Sequence, residues 1–248
     1  MHFKTLIINA PLLCLGAFLF AQEENEYDLK CTFSLGTNWL FPAVESTDKN
    51  LERFDQNSTF RNGDSLHTKE HSLCELANKE LQIRLGSNSI VGVKQKEISL
   101  TKGTLLIYKN SAGNLNIKSK QSNLSTSGQY TAIVDCTSNG GFKFIPLEGT
   151  GLIIPDKGDS KEIFRGRLTM ILGSPSQLGS AYDIDLLLLL KSSRLINAFP
   201  TSLPSMKRIS LAIYAQQLRI KGKYNALIGD APTDDNVQMW AFGEKEDK

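Results

Sequence analysis

Between Gly63 and Ile154 the chain repeatedly sets a short stretch of alternating apolar and polar residues beside a turn cluster. Leu81, Ile83 and Leu85 alternate with Gln82 and Arg84 before Gly86-Ser87-Asn88 turns the chain. Ile98 and Leu100 flank Ser99, and Lys102-Gly103 leads into Leu105-Leu106-Ile107-Tyr108. Asn110-Ser111-Ala112-Gly113-Asn114 separates these from Leu115 and Ile117. Tyr130 to Val134, Phe142 with Phe144, Leu147 to Ile154, and Leu168, Met170 and Leu172 continue the series, broken by Ser138-Asn139-Gly140-Gly141 and Asp156-Lys157-Gly158-Asp159. A period of two bounded by such turns is the signature of half-buried strands. No helical stretch lies between them, so a parallel sheet covered by crossover helices is excluded. The pattern predicts a mainly β fold, a stacked β-roll or β-solenoid-like domain. Each rung pairs its main chain with the next, the inward side chains share one apolar interior, and glycine serves corners where φ is positive.

The character changes near residue 181. Asp183 and Asp185 precede an apolar run, Ile184 to Asn197, with Lys191 and Arg194 toward its end, a charge order that suits a helix dipole. Leu186 through Leu190 makes this helix apolar nearly all round, so it must be covered on several sides. Pro200 and Pro204 end it. Ser205 can cap a second helix with Ile209, Ala212, Ile213, Ala215 and Ile220 on its apolar positions, and Gly222 stops it. This C-terminal helical pair is expected to close the open end of the stack, where unpaired backbone groups need cover.

The flanks read differently. Residues 1–21 form a signal peptide: Lys4, an apolar stretch from Leu6 to Phe20, and Ala21 at the expected cut before Gln22-Glu23-Glu24. The run is short for a bilayer span and Asn9 and Pro11 interrupt it, so no membrane span is expected after cleavage. Cys14 lies inside this apolar run behind Leu13, which argues against lipidation there. Residues 22–60 are a polar, weakly ordered lead-in in which Trp39-Leu40-Phe41 is expected to dock on the body as a strand. The organisation is then 61–180 β domain, 181–228 helical cap, and 229–248 polar tail, loose apart from Met239-Trp240-Ala241-Phe242.

Cleavage removes one base, Lys4, from 28 and no acid, leaving 27 bases against 26 acids. A near-neutral chain with scattered lysines has no electrostatic reason to seek nucleic acid or an anionic membrane. Three cysteines remain, Cys31, Cys74 and Cys136, so at most one disulfide forms and one thiol is left over; which of them pair is open.

The residues that could carry chemistry do not converge. His67-Thr68-Lys69-Glu70-His71 matches the H-x-x-E-H pattern of inverted zinc peptidases, which requires both histidines on one helical face. A strand-and-turn segment does not provide that. No G-x-S-x-G elbow is present, and Gly149-Thr150-Gly151 lacks the glycine and lysine of a phosphate loop, so a tight corner is its reading. Asp183 and Asp185 diverge as a catalytic pair and suit capping; Asp234-Asp235 sits in the tail.

Several of these segments together resemble FecR-type domains: Gly63-Asp64-Ser65-Leu66-His67-Thr68, Ser72-Leu73-Cys74-Glu75-Leu76 and Leu81-Gln82-Ile83-Arg84-Leu85-Gly86-Ser87-Asn88-Ser89. Leu100-Thr101-Lys102-Gly103-Thr104-Leu105-Leu106 is similar to the family's strand, glycine and paired apolars, and Phe144-Ile145-Pro146-Leu147-Glu148-Gly149-Thr150 to its Leu-Glu-Gly strand. The stretch from Asp183 through Ile196 to Pro200 and Pro204-Ser205 looks like a tail found after some exported members. Gly166-Arg167, where the family commonly has Gly-Gln, and the turn near Ser127-Gly128, which lacks the usual Gly-Thr step, depart from the pattern.

The resemblance implies a β-stack without enzymatic activity that contacts other proteins. The family's namesake relays a receptor's state across the inner membrane to a sigma factor; only its exported module is implied here. The expected function is a non-catalytic FecR-domain protein, periplasmic or secreted, acting as a protein-interaction, scaffold or signalling module with an envelope protein as partner. No catalytic, cofactor-binding or metal residue and no cofactor is expected. The alternative is a carbohydrate- or cell-wall-binding β module, which requires an exposed aromatic row drawn from Tyr108, Tyr130, Phe142 and Phe144; the same residues suit a core.

Overall fold

A computed structural model of the chain describes residues 28–43 and 52–220, and the backbone of Leu227–Asp230 and Val237–Ala241. The signal-peptide residues 1–21, Asp234-Asp235 and parts of the expected lead-in and tail lie outside the described residues. The first strands are β1 (Leu29–Leu35), β2 (Asn38–Phe41), β3 (Glu52–Arg53), β4 (Thr59–Phe60), β5 (Ser65–Thr68), β6 (Leu73–Ala77), β7 (Leu81–Leu85) and β8 (Ile90–Lys94). They are followed by β9 (Glu97–Lys102), β10 (Thr104–Lys109), β11 (Leu115–Lys118), β12 (Asn123–Cys136), β13 (Phe142–Pro155), β14 (Lys161–Glu162), β15 (Arg167–Leu172) and β16 (Gln177–Asp183). Helices α1 (Leu186–Ser192), α2 (Arg194–Asn197) and α3 (Met206–Ile220) precede a hairpin of β17 (Leu227–Asp230) and β18 (Val237–Ala241).

The mainly β expectation with a helical C-terminal part holds. The first sixteen strands form one sheet whose path runs β3-β2-β5-β8-β9-β11-β12-β10-β7-β6-β1-β4. The 14-residue β12 is its spine: β11 bonds its first part, at Asn123–Thr126, and β10 its second, at Tyr130–Asp135. Two wings result, and the chain alternates between them, so that β5–β6, β7–β8 and β9–β10 are each one rung crossing from wing to wing. Pairing is antiparallel except between β9 and β11, where β10 intervenes on the other wing.

The wings face each other across one apolar interior. Leu66, Val91, Ile98 and Ile117 come from one wing, and Ile83, Leu85, Leu105, Ile107 and Val134 from the other. Each such side chain contributes ~1.5–3 kcal/mol on burial. The long β12–β13 ribbon bends at this crossing, where Gly128 pairs with Gly151 and Tyr130 with Gly149. Gly149 and Gly151 have φ of 120° and 145°, and a Cβ on Gly151 would lie 1.9 Å from the Ser127 carbonyl oxygen. Only glycine fits there. The segments expected separately at Tyr130 to Val134, at Phe142 with Phe144 and at Leu147 to Ile154 are therefore parts of two continuous strands that bend, and Ser127-Gly128 lies within one of them instead of forming a turn.

Three expectations are corrected. β2 pairs with β3 and β5, as expected of Trp39-Leu40-Phe41, but much more of the lead-in belongs to the sheet: β1 pairs with β4 and β6, and Leu29, Cys31, Phe54 and Phe60 are buried in the common core. A strand needs anchors on one face only, so isolated apolar residues suffice once neighbouring strands supply the rest of the core. The helices, in turn, do not close an end of the stack. They pack on the outer face of the wing containing β10, against Leu106, Ile133, Ile145, Leu147 and Leu168. This face is apolar and requires cover, whereas both ends of the path are blunted by strands of two residues, β3 and β4. The single helix expected over 184–197 is split at Ser193, whose backbone is extended, into α1 and α2.

Candidate interaction face

The outer face of this wing carries polar positions as well as apolar ones, and three hydrogen-bonded clusters fix the helices to it. In the first, Glu75 on β6 and Arg84 on β7 stand opposite each other in the strand register. Arg84 Nε donates to Glu75 Oε2 at 2.7 Å, and Thr32 and Gln82 donate to the same carboxylate at 2.6 and 2.7 Å. Arg84 Nη1 donates to the Leu195 and Ile196 carbonyls at 3.2 and 3.3 Å, Nη2 donates to the Thr201 carbonyl, and the guanidinium lies 4.5 Å from the centre of the Phe199 ring. The carbonyls at the end of α2, which lack helical partners, thus find a cation. Arg84 is fully buried, and that burial pulls its guanidinium below the ordinary value against the opposing hydrogen bond and charge of Glu75.

The second cluster joins α3 to the β12–β13 ribbon. Glu148 accepts from Arg208 Nε at 2.7 Å and from the Thr131 hydroxyl at 2.5 Å, while Thr131 and Ser205 hydroxyls lie 2.6 Å apart. The bond to Glu148 raises the Arg208 guanidinium above its ordinary value. In the third, Gln216 of α3 accepts from the Leu186 amide at 2.9 Å and donates to the Ile184 carbonyl. Asp185 N-caps α1, its Oδ1 accepting from the Leu187 and Leu188 amides at 2.9 and 3.0 Å. Asp183 ends β16 and sits 3.6 Å from Arg167 Nε. The two aspartates therefore serve capping and pairing, not a shared proton.

With Ile209, Ala212, Ile213 and Gln216 turned to the sheet, α3 presents a second apolar row outward. Leu211, Tyr214 and Leu218 are 67%, 66% and 64% exposed, at the i, i+3, i+7 spacing of one helix face. The row extends for ~10 Å along the axis. Single exposed apolar residues are ordinary; here three of them share one face of a helix whose other face is fixed. The sequence reading placed the apolar inward positions of this helix and missed the outward ones, although Leu211, Tyr214 and Leu218 follow the same helical period.

The residues weighed for chemistry do not assemble. His67 is on β5, its ring 4.0 Å from the centre of the Phe41 ring, and burial lowers its pKa. Glu70 and His71 lie in the turn before β6, where His71 has φ of 56° and its Nε2 is 3.5 Å from Glu70 Oε1. The segment is strand and turn, so the zinc-peptidase pattern has no helical face to act on. Among the described residues no group of three or more His, Cys, Asp or Glu could hold a metal ion. Tyr130, Phe142 and Phe144 are buried in the core and the Tyr108 ring lies 5.9 Å from the Arg208 guanidinium, so they form no exposed aromatic row. Gly149-Thr150-Gly151 is the bend of the ribbon. Among the described residues no helix is long and apolar enough to cross a membrane.

No family model and no curated protein matches the chain. Two crystal structures, each of a putative anti-sigma factor from Parabacteroides distasonis, are similar to it in backbone path. One is 5% identical with a TM-score of 0.37, and the alignment covers 48% of this chain and 59% of that one. The other is 6% identical with a TM-score of 0.40, covering 71% and 97%. The chain thus spans about three-fifths of the first structure's length, and at TM-scores this low the likeness carries no argument about fold or role.

Proposed function

We propose that this chain is an exported, non-catalytic module of FecR type that presents α3 to a protein partner in the cell envelope. The observation that carries the reading is the exposed row Leu211, Tyr214 and Leu218 on a helix whose opposite face is bonded to the β-roll. Such a row is held in place before a partner arrives, so little ordering cost opposes docking. The segments that resemble the family support the reading, because they occupy the crossings and clusters of the roll. Asp64, after Gly63, accepts from the Ala43 and Arg61 amides, Gly103 marks the β9–β10 crossing, and Glu148 holds Arg208.

The test is photo-crosslinking in the native envelope from position 214, with position 94 on the exposed end of β8 as control. The reading expects one envelope protein captured from 214, not from 94, and lost in the Leu211→Ser/Leu218→Ser variant. Equal capture from both positions, or retention of the adduct in that variant, would refute it.

A further inference from the structure

We infer that Cys31 and Cys74 form the chain's disulfide, tying β1 to β6 inside the roll, and that Cys136 is the unpaired thiol. The two sulfurs lie 3.7 Å apart on neighbouring strands, both turned into the core and 1% and 0% exposed. A bulge after Cys31 in the β1–β6 pairing leaves it diagonal to Cys74. Closure to a sulfur–sulfur bond of ~2.05 Å therefore needs a shift of about 1.6 Å, within the freedom of two side chains and one bulged strand. That strand is next to the end of the sheet, with only the two-residue β4 beyond it. Cys136 is elsewhere, at the end of β12, where its thiol donates to the Leu100 carbonyl at 3.0 Å. Burial pushes its thiol up to about 12, so it is a poor nucleophile.

The chemistry balances with a disulfide carrier, a protein dithiol oxidant or glutathione disulfide. Cys31, on the strand next to the end of the sheet, opens the exchange. Its thiolate attacks the carrier disulfide, forming a mixed disulfide and releasing one carrier thiol. The Cys74 thiolate then attacks the Cys31 sulfur, closing the bridge and expelling the second carrier thiol. Two chain thiols are oxidised, one carrier disulfide is reduced, and both protons end on the carrier. Because the folded pair is buried, exchange takes place while β1 is still closing onto β6.

The experiment refolds the chain from Gln22 to Lys248, after the expected cut, in a mixture of oxidised and reduced glutathione, blocks free thiols under denaturing conditions and maps tryptic peptides without reduction. The three cysteines fall on separate peptides, residues 31–49, 70–79 and 121–143. The expected product links 31–49 to 70–79 with 121–143 blocked, survives in Cys136→Ser, and melts roughly 5–10 °C lower after reduction. Blocked, unlinked 31–49 and 70–79, or a link from either to 121–143, would overturn the assignment. The result is independent of whether α3 binds a partner.

Discussion

Replacing Arg84 by leucine tests the attachment of the helices most severely. The guanidinium joins Glu75, the end of α2 and Thr201, with only a 3.5 Å bond from the Thr201 hydroxyl to Glu75 beside it among the described residues, and it is wholly buried. Leucine leaves the Glu75 carboxylate in the interior with hydroxyl and amide donors but no opposing charge, a loss of ~3–5 kcal/mol for a broken buried pair. The Leu195 and Ile196 carbonyls also lose a donor beneath the helices, while exposed Thr201 can bond water instead. Some relaxation offsets the second loss, so about 4 kcal/mol is expected, on the order of a thousand-fold in the folding equilibrium. With a urea slope of ~2 kcal/mol/M, the unfolding midpoint falls by about 2 M. Arg84→Met combined with Glu75→Leu removes the stranded charge, and this double variant should be more stable than Arg84→Leu. Urea melts followed by circular dichroism measure both. A fall below 0.5 M for Arg84→Leu, taken as about a quarter of the expected shift, or a double variant weaker than the single one, would refute the reasoning.

Further outcomes follow from other parts of the molecule. Gly151→Ala should cost ~2–5 kcal/mol, because its φ and its contact with the Ser127 oxygen both exclude a Cβ, whereas Gly113→Ala, which meets nothing within 4 Å, should stay within ~0.5 kcal/mol in the same melts. A chain ending at Asp183 uncovers Leu106, Ile133, Ile145, Leu147 and Leu168 and should bind a hydrophobic dye and associate in sedimentation; a folded, dye-silent monomer would contradict the packing described. Asp156 is held below the usual carboxylate value by its bonds with Asn123 and Ser176. A depressed folded value gives stability that is full above the unfolded value near 3.9 and is lost as pH falls through the folded one. Thermal midpoints should therefore drop less between pH 5 and 2 in Asp156→Asn than in the wild type.

The sequence made the strands legible because one face of each is apolar at a period of two: Leu81, Ile83 and Leu85 are read directly, and so are Ile98 with Leu100 and Leu115 with Ile117. It concealed the roles of their intervening residues. Arg84 and Glu75 look like solvated positions by period alone, and their burial depends on helices more than a hundred residues away. Their pairing was within reach, since a hairpin turning at Asn78–Glu80 sets Glu75 opposite Arg84. The strand at Asn38–Phe41 was legible from Trp39-Leu40-Phe41, whereas the strand at Leu29–Leu35 escaped notice because its anchors are few and its partners distant in sequence. Helix placement failed for a different reason. An apolar outer face at Leu106, Ile133 and Ile145 reads as part of a continuous apolar run, and only the register separates inward from outward side chains. The exposed row of α3 was readable from its spacing, but its exposure required knowing which face the sheet had taken.

The account holds that the β-roll and its helices are one cooperative body, with α3 fixed in place and its outer row free for a partner. Hydrogen exchange of the native full chain tests this most directly. Amides of α3 between Ile209 and Gln216 should open with a free energy within ~1 kcal/mol of those of Leu105–Ile107 on β10. Complete exchange of the α3 amides within seconds, while β10 remains protected, would show a separable appendage and contradict the account.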